Sequence, residues 1–145
     1  MQLPANTLVR MCIPAKATSL RLMRAVVSRA AELAGADPEL TERLVLAVNE
    51  AGMNVIQHAY GDQGTRDELE GDLEIEIQQD AHELVFIILD HAPPVSPERI
   101  HSRPLDEVRP GGLGVHFIQE IMDKVEYSHL PNGEGNRLEM RKRLA

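Results

Sequence analysis

Tryptophan is absent, tyrosine and phenylalanine occur twice each, and aromatics make up 3% of the 145 residues. A core without large rings must be filled by aliphatic side chains and alanine, which the 43% hydrophobic content supplies. There is a single cysteine, Cys12, so no internal disulfide can form and no thiolate cluster can hold zinc. Cys12 reads as a small buried residue of a strand, the usual place of a free thiol. No apolar run approaches the roughly 20 residues that span a bilayer. The opening MQLPANTLVRMCIP lacks a basic start followed by a long apolar segment, so no secretory signal is expected and the chain is expected to be cytoplasmic. Positive charge is also in deficit. Fifteen basic against twenty-three acidic residues give a net charge of −8, which argues against a nucleic-acid or anionic-membrane surface, because both depend on summed positive charge.

What is present fits one domain over residues 1–145, a length that buries a sufficient core without staples. Residues 8–13 form a short apolar run closed by Pro14, which predicts an edge strand, since proline cannot donate to the ladder. Residues 18–35 predict a first helix, with hydroxyls at Thr18 and Ser19 to cap it and Gly35 to end it. Asp37 and Pro38 predict the start of a second helix, in which Leu40, Leu44, Ala47, Val48, Ala51 and Val55 recur at helical spacing. Residues 61–72 are polar and acidic and predict a loop. LEIEIQ alternates strictly and predicts a strand with one buried face, and ELVFIILD predicts a central strand covered on at least one side. Residues 91–110 hold five prolines and little periodicity, a long connection of the kind that is often functional. Gly111 to Gly114 lead into LGVHFIQEIMDKV, residues 113–125, which predicts a third helix, and residues 125–130 and 136–144 predict a hairpin around PNGEG. The order implies an α+β fold, a two-layer sandwich of three helices on a mixed, mainly antiparallel sheet.

Three places carry polar groups where chemistry would use them. In NEAGMNVIQHAYG, residues 49–61, Glu50 and Asn54 run along one margin of the apolar face and His58 lies within it. On the helix alone, the ordinary reading of Glu50 and Asn54 is boundary residues that reach water. Asp90 ends the apolar strand and opens the long loop, either as an acceptor for a ligand amine or as a turn or cap residue. PGGLGVHF either makes a simple turn into a helix or lets the backbone approach an anion at the positive end of the helix. It matches neither the P-loop nor the GxGxxG pattern. The remaining histidines, His82, His91, His101, His116 and His129, form no metal-ligand spacing, and Met23, Met53 and Met122 read as packing.

Taken in order, ExxxN on a helix, Asp at a strand end and GGLG opening a helix resemble the GHKL superfamily of ATP-binding domains with the Bergerat fold. Within it the chain looks like the anti-sigma factor serine kinases. NEAGMNVIQHAY resembles their N-box, DHAPPVSP their first glycine box, and GGLGVHFIQEIMDKVEY with GNRLEMRK their second box and closing strands. The resemblance implies ATP and Mg2+ as cofactors, Glu50 as general base, Asn54 as the magnesium ligand, Asp90 as acceptor for the adenine amine, and Gly112 and Gly114 as phosphate contacts, with Gly111 giving room. It implies an anti-sigma factor antagonist of the STAS type as protein substrate and a sigma factor as a second partner, with a homodimer among the assemblies of the family. His58 either touches the phosphate region or packs. Two positions depart from the pattern. Ala92 and Pro94 stand where the first box has glycines, which leaves Ala92 as the cofactor-facing residue of that wall, and Asn136 and Arg137 stand where a threonine is common.

Overall fold

The alternation in residues 72–80 becomes strand β2 (Asp72–Asp80), which turns Leu73, Ile75 and Ile77 inward and Glu74 and Glu76 outward. A two-residue turn at Ala81 and His82 leads back into β3 (Glu83–Asp90), paired with β2 from Asp80↔Glu83 to Leu73↔Asp90. The computed structural model describes residues 2–59, 71–91 and 112–144. Its five strands lie in the order β1-β2-β3-β5-β4, with β1 (Thr7–Pro14) at one edge and β4 (Lys124–His129) at the other, beside β5 (Asn136–Arg143). The edge position expected for the strand ending at Pro14 is borne out. Every pairing among the described residues is antiparallel, so the sheet has none of the parallel pairs that a mixed sheet would include. The α+β layout itself stands as expected: each strand reaches its neighbour through a hairpin or by packing beside an earlier strand, and no parallel crossover is needed.

Three helices occupy the described residues: α1 (Leu20–Leu33), α2 (Pro38–Ala59) and α3 (Gly112–Ile121). Their buried side chains, among them Met23, Val27, Leu44, Val48, Ala51, Val55 and Ile118, share one core with Ile75, Ile77, Phe86, Ile88 and Met140 of the sheet, so all three pack on one face. At the start of α1 the expected hydroxyl caps are not made. Residues Ala17–Ser19 form a 3-10 turn that runs straight into the helix, and Ser19 is already in the helical region, where its side chain makes no capping hydrogen bond. The end of α1 follows the glycine rule. Gly35 has φ +102, and Gly35 N–H to Glu32 O and Ala36 N–H to Ala31 O, both 3.0 Å, close a Schellman motif. Asp37 then caps α2 through its carboxylate, which accepts from Leu40 N–H at 2.7 Å, with Pro38 in the first helical position.

Gly52 lets the first two helices meet closely: a Cβ there would lie 2.8 Å from Met23 Cε and 3.0 Å from Leu20 Cδ2. Met23 and Met122 are core residues as expected, but Met53 is 37% exposed, because it points away from the sheet, where Asn49 Nδ2 approaches its sulfur at 3.6 Å. Cys12 lies in β1 as expected and yet is exposed, since strand alternation that buries Ile13 turns Cys12 to the opposite face.

That opposite face explains the continuous apolar run of β3. Val85 and Ile87 are buried although the helices lie on the other side. Their cross-strand neighbours are Arg141 and Glu139, and the side chains of this row tie together, with Arg137 and Arg141 donating to Glu139 at 2.8 and 2.9 Å and Arg141 to Glu83 at 2.8 Å. Long charged side chains of this kind can lay their aliphatic stems along apolar neighbours while the charged ends pair. Burial pushes the Glu139 carboxyl up, but the guanidinium groups of Arg141 and Arg137 outweigh it and hold it below the ordinary carboxylate range.

Candidate functional site

Helix α2 rests against both β3, which ends in Asp90, and α3, which begins at Gly112. The polar residues of these elements are therefore carried by three packed supports. Along α2, Ala47, Ala51 and Val55 enter the core, and Asn54 goes in with them: it is 5% exposed, and neither its Oδ1 nor its Nδ2 has a hydrogen-bond partner. Asn54 is thus not a boundary residue reaching water. Glu50, one turn earlier, is half-buried. Leaving an amide unpaired inside a protein costs about 1–3 kcal/mol, so an orphaned carboxamide marks a place where the fold keeps a donor and an acceptor available. The preceding residue, Asn49, is held differently, accepting from Arg24 Nη1 of α1 at 2.9 Å.

Asp90 is 1% exposed at the end of β3. It is not a solvated turn residue. Asn136, also 1% exposed and opposite it in β5, donates from Nδ2 to Asp90 Oδ1 at 2.9 Å. On the far side Asn136 Oδ1 lies 3.0 Å from His129 Nδ1 in β4, where His129 and Asn136 are again register partners. Asp90, Asn136 and His129 thus form one transverse row on the helix-facing side of three adjacent strands. The next row inward holds Ile88, Leu138 and Tyr127, and the Tyr127 ring meets His129 edge-on at a centroid distance of 6.3 Å. Burial and then the charge of Asp90 push the Tyr127 hydroxyl up to about 12, so it remains protonated at neutral pH.

The turn that brings β5 into this row depends on glycine. Gly135 has φ +151, and a Cβ on it would lie 1.9 Å from the Asp90 carbonyl oxygen and 3.0 Å from His91 Cα. The expected hairpin is present, with a 3-10 turn at Pro131–Gly133 and Leu130 N–H bonding to Gly135 O at 2.8 Å.

Of the residues singled out in the sequence, Glu50 and Asn54 share α2, Asp90 ends the central strand, and Gly112 and Gly114 lie in the first turn of α3. Ala92, Pro94 and Gly111 lie outside the described residues, as does the side chain of His58. Among the described residues no group of three acidic, histidine or cysteine side chains is placed to hold a metal by itself. No described helix is long and apolar enough to cross a membrane. Sequence reasoning left the contact of Asn136 open and found no role for His129. The turn PNGEG places those two opposite each other, but the pairing of Asn136 with Asp90, 46 residues apart, has no local signal.

A family model described as a histidine kinase-like ATPase domain matches residues 13–142. The chain belongs to this family. The serine-protein kinase RsbW of Halalkalibacterium halodurans is 30% identical over 126 residues, which cover 81% of this chain and 74% of the relative. The serine-protein kinase RsbW of Bacillus pumilus is 29% identical over 127 residues, covering 82% and 76%. The resemblance to serine-protein kinases of this superfamily is therefore borne out. Among solved structures, the SiaB–SiaC complex from Pseudomonas aeruginosa contains a chain that superposes with a TM-score of 0.61 at 11% identity, covering 94% of this chain and 90% of that one. A mycobacterial sensor histidine kinase, MprB, superposes at 0.54 and 14% identity, covering 92% and 97%. At such identities the likeness is one of fold, and the fold is that of the histidine kinase-like ATPases.

Proposed function

We propose that the chain is a single ATP-binding domain acting in the cytoplasm as a serine/threonine protein kinase and anti-sigma factor. In this reading it phosphorylates an anti-sigma factor antagonist of the STAS type and alternates between that partner and a sigma factor. The observation that carries the reading is the buried, unpartnered carboxamide of Asn54 one turn from Glu50, in a chain whose relatives are named serine-protein kinases.

An amide oxygen is a hard donor of the kind magnesium accepts, and magnesium keeps several waters, so one protein ligand suffices. Asn54 would hold the ion, whose chemistry when bound is to neutralise the phosphate oxygens of ATP. Glu50, on the same helix and within reach of solvent, is the general base for the attacking hydroxyl. Asp90 accepts the adenine amine. Gly112 and Gly114 offer first-turn amides to the phosphates, and the family resemblance assigns Gly111 and Ala92 to the same nucleotide. Labelled ATP, magnesium and a STAS-type antagonist protein should give label on Ser or Thr, and Glu50→Gln should abolish transfer while ATP still binds. Label transfer unchanged by Glu50→Gln would remove Glu50 from the role of base.

A second reading rests on Ala92 and Pro94 in place of two box glycines: a partner-binding regulator, gated by nucleotide or independent of it, without kinase activity. Calorimetry separates the two, because a chain that binds no ATP cannot be the kinase.

A further inference from the structure

The row Asp90, Asn136, His129 begins at a buried carboxylate and ends at an exposed imidazole on the outer strand of the sheet. Its hydrogen-bond directions are determined by chemistry. A carboxylate only accepts, so the amide group facing Asp90 Oδ1 at 2.9 Å must be the Asn136 NH2. The Asn136 carbonyl oxygen then faces His129 Nδ1 at 3.0 Å, and since that oxygen also only accepts, Nδ1 must carry a proton. The imidazole is thereby tied to one orientation and one tautomer, and the amide cannot turn over without setting an oxygen against the carboxylate.

We infer that His129 is a positioning residue for the base-recognition carboxylate: through Asn136 it fixes the plane of Asp90, and so makes the nucleotide site discriminate a base with an amino group from one with a carbonyl at the same place. The inference rests on the proposed role of Asp90 as acceptor for adenine. Three features support it beyond the two distances. Gly135 seats the β4–β5 turn directly on the Asp90 backbone, so the row is built on a contact that no larger residue permits. Asp90, Asn136 and His129 are consecutive register partners across β3, β5 and β4, which fixes their spacing through the sheet ladder rather than through flexible loops. The Tyr127 ring meets the imidazole edge-on from the next row of the sheet. His129 itself is exposed, so neither core packing nor a buried cavity accounts for its pairing.

The test uses the full chain and two substitutions at this exposed position, with ATP and GTP as titrants in the presence of magnesium. His129→Leu removes the donor, and ATP affinity should fall about tenfold, the equivalent of one lost hydrogen bond, while the preference for ATP over GTP narrows. His129→Gln restores a side-chain N–H and should recover affinity to within about threefold of the parent. Nitrogen NMR of the parent imidazole should show the proton on Nδ1. If His129→Leu binds both nucleotides as the parent does, or if the imidazole is the Nε2-protonated tautomer, the inference is overturned. Failure of the parent to bind ATP overturns the proposed function together with this inference, whereas parent binding with an unaffected His129→Leu overturns the positioning role alone.

Discussion

Gly135 and Asp90 approach so closely that a single methyl group between them would lie 1.9 Å from the Asp90 carbonyl oxygen. Real contacts of that kind do not occur, so a side chain at residue 135 must push the β4–β5 turn away from the end of β3. Because Asn136 follows directly, the displacement also pulls its amide from the Asp90 carboxylate. Gly135→Ala should therefore lower stability by about 2–4 kcal/mol, combining the overlap with the cost of a positive φ at a non-glycine residue. Urea unfolding measures this. An unfolding midpoint equal to that of the parent would mean that the turn is not seated on β3 as described.

Asn54 leads to a prediction of opposite sign for stability and function. Its two side-chain polar atoms are buried and unpartnered, so the folded chain carries their desolvation with no compensating bond. Asn54→Leu, of similar volume, should raise stability by about 1 kcal/mol and abolish magnesium-dependent ATP binding. The two measurements, urea unfolding and calorimetry, are independent. A variant that is destabilised while still binding ATP would show that Asn54 has a structural partner and no part in the site.

How much of this was legible in the sequence depends on the range of the interaction concerned. Asp37 with Pro38 marks the start of α2, Gly35 marks the end of α1, and the alternation of β2 assigns its faces, because caps, left-handed turns and the pleat act within a few residues. Thr18 and Ser19 resemble caps equally well, but a 3-10 turn already occupies that place, and local composition cannot separate the two outcomes. The exposure of Cys12 is a matter of parity: with Ile13 inside, its neighbour must face out, and the general burial of free thiols gives way to the strand period. The roles proposed for Glu50, Asn54 and Asp90 come from motif order, whereas the burial of Asn54 and the pairing of Asp90 with Asn136 arise from packing between distant segments. Val85 and Ile87 illustrate the same limit, since among the described residues their neighbours on that face include a hydrogen-bonded lattice of charged residues and no helix.

Tyr127 offers a pH dependence that reads the same row from its inner side. Burial and the nearby Asp90 raise its hydroxyl to about 12 in the folded chain, against about 10 in an unfolded one. A raised acid favours the folded state fully below the unfolded value, and that contribution disappears as pH rises from about 10 to about 12, where the unfolded chain ionises first. The parent should lose on the order of 2 kcal/mol across this window from Tyr127 alone. Tyr127→Phe has no hydroxyl to ionise, so its alkaline decline should be shallower by that amount, although at neutral pH it keeps the ring against His129. Unfolding midpoints taken at several values between pH 9 and 12 for the two chains make the comparison, and parallel declines would place Tyr127 in water and away from Asp90. A shallower decline in Tyr127→Phe, combined with lower ATP affinity in His129→Leu, would mean that both neighbours of the row act on one carboxylate, one through burial and charge and the other through Asn136.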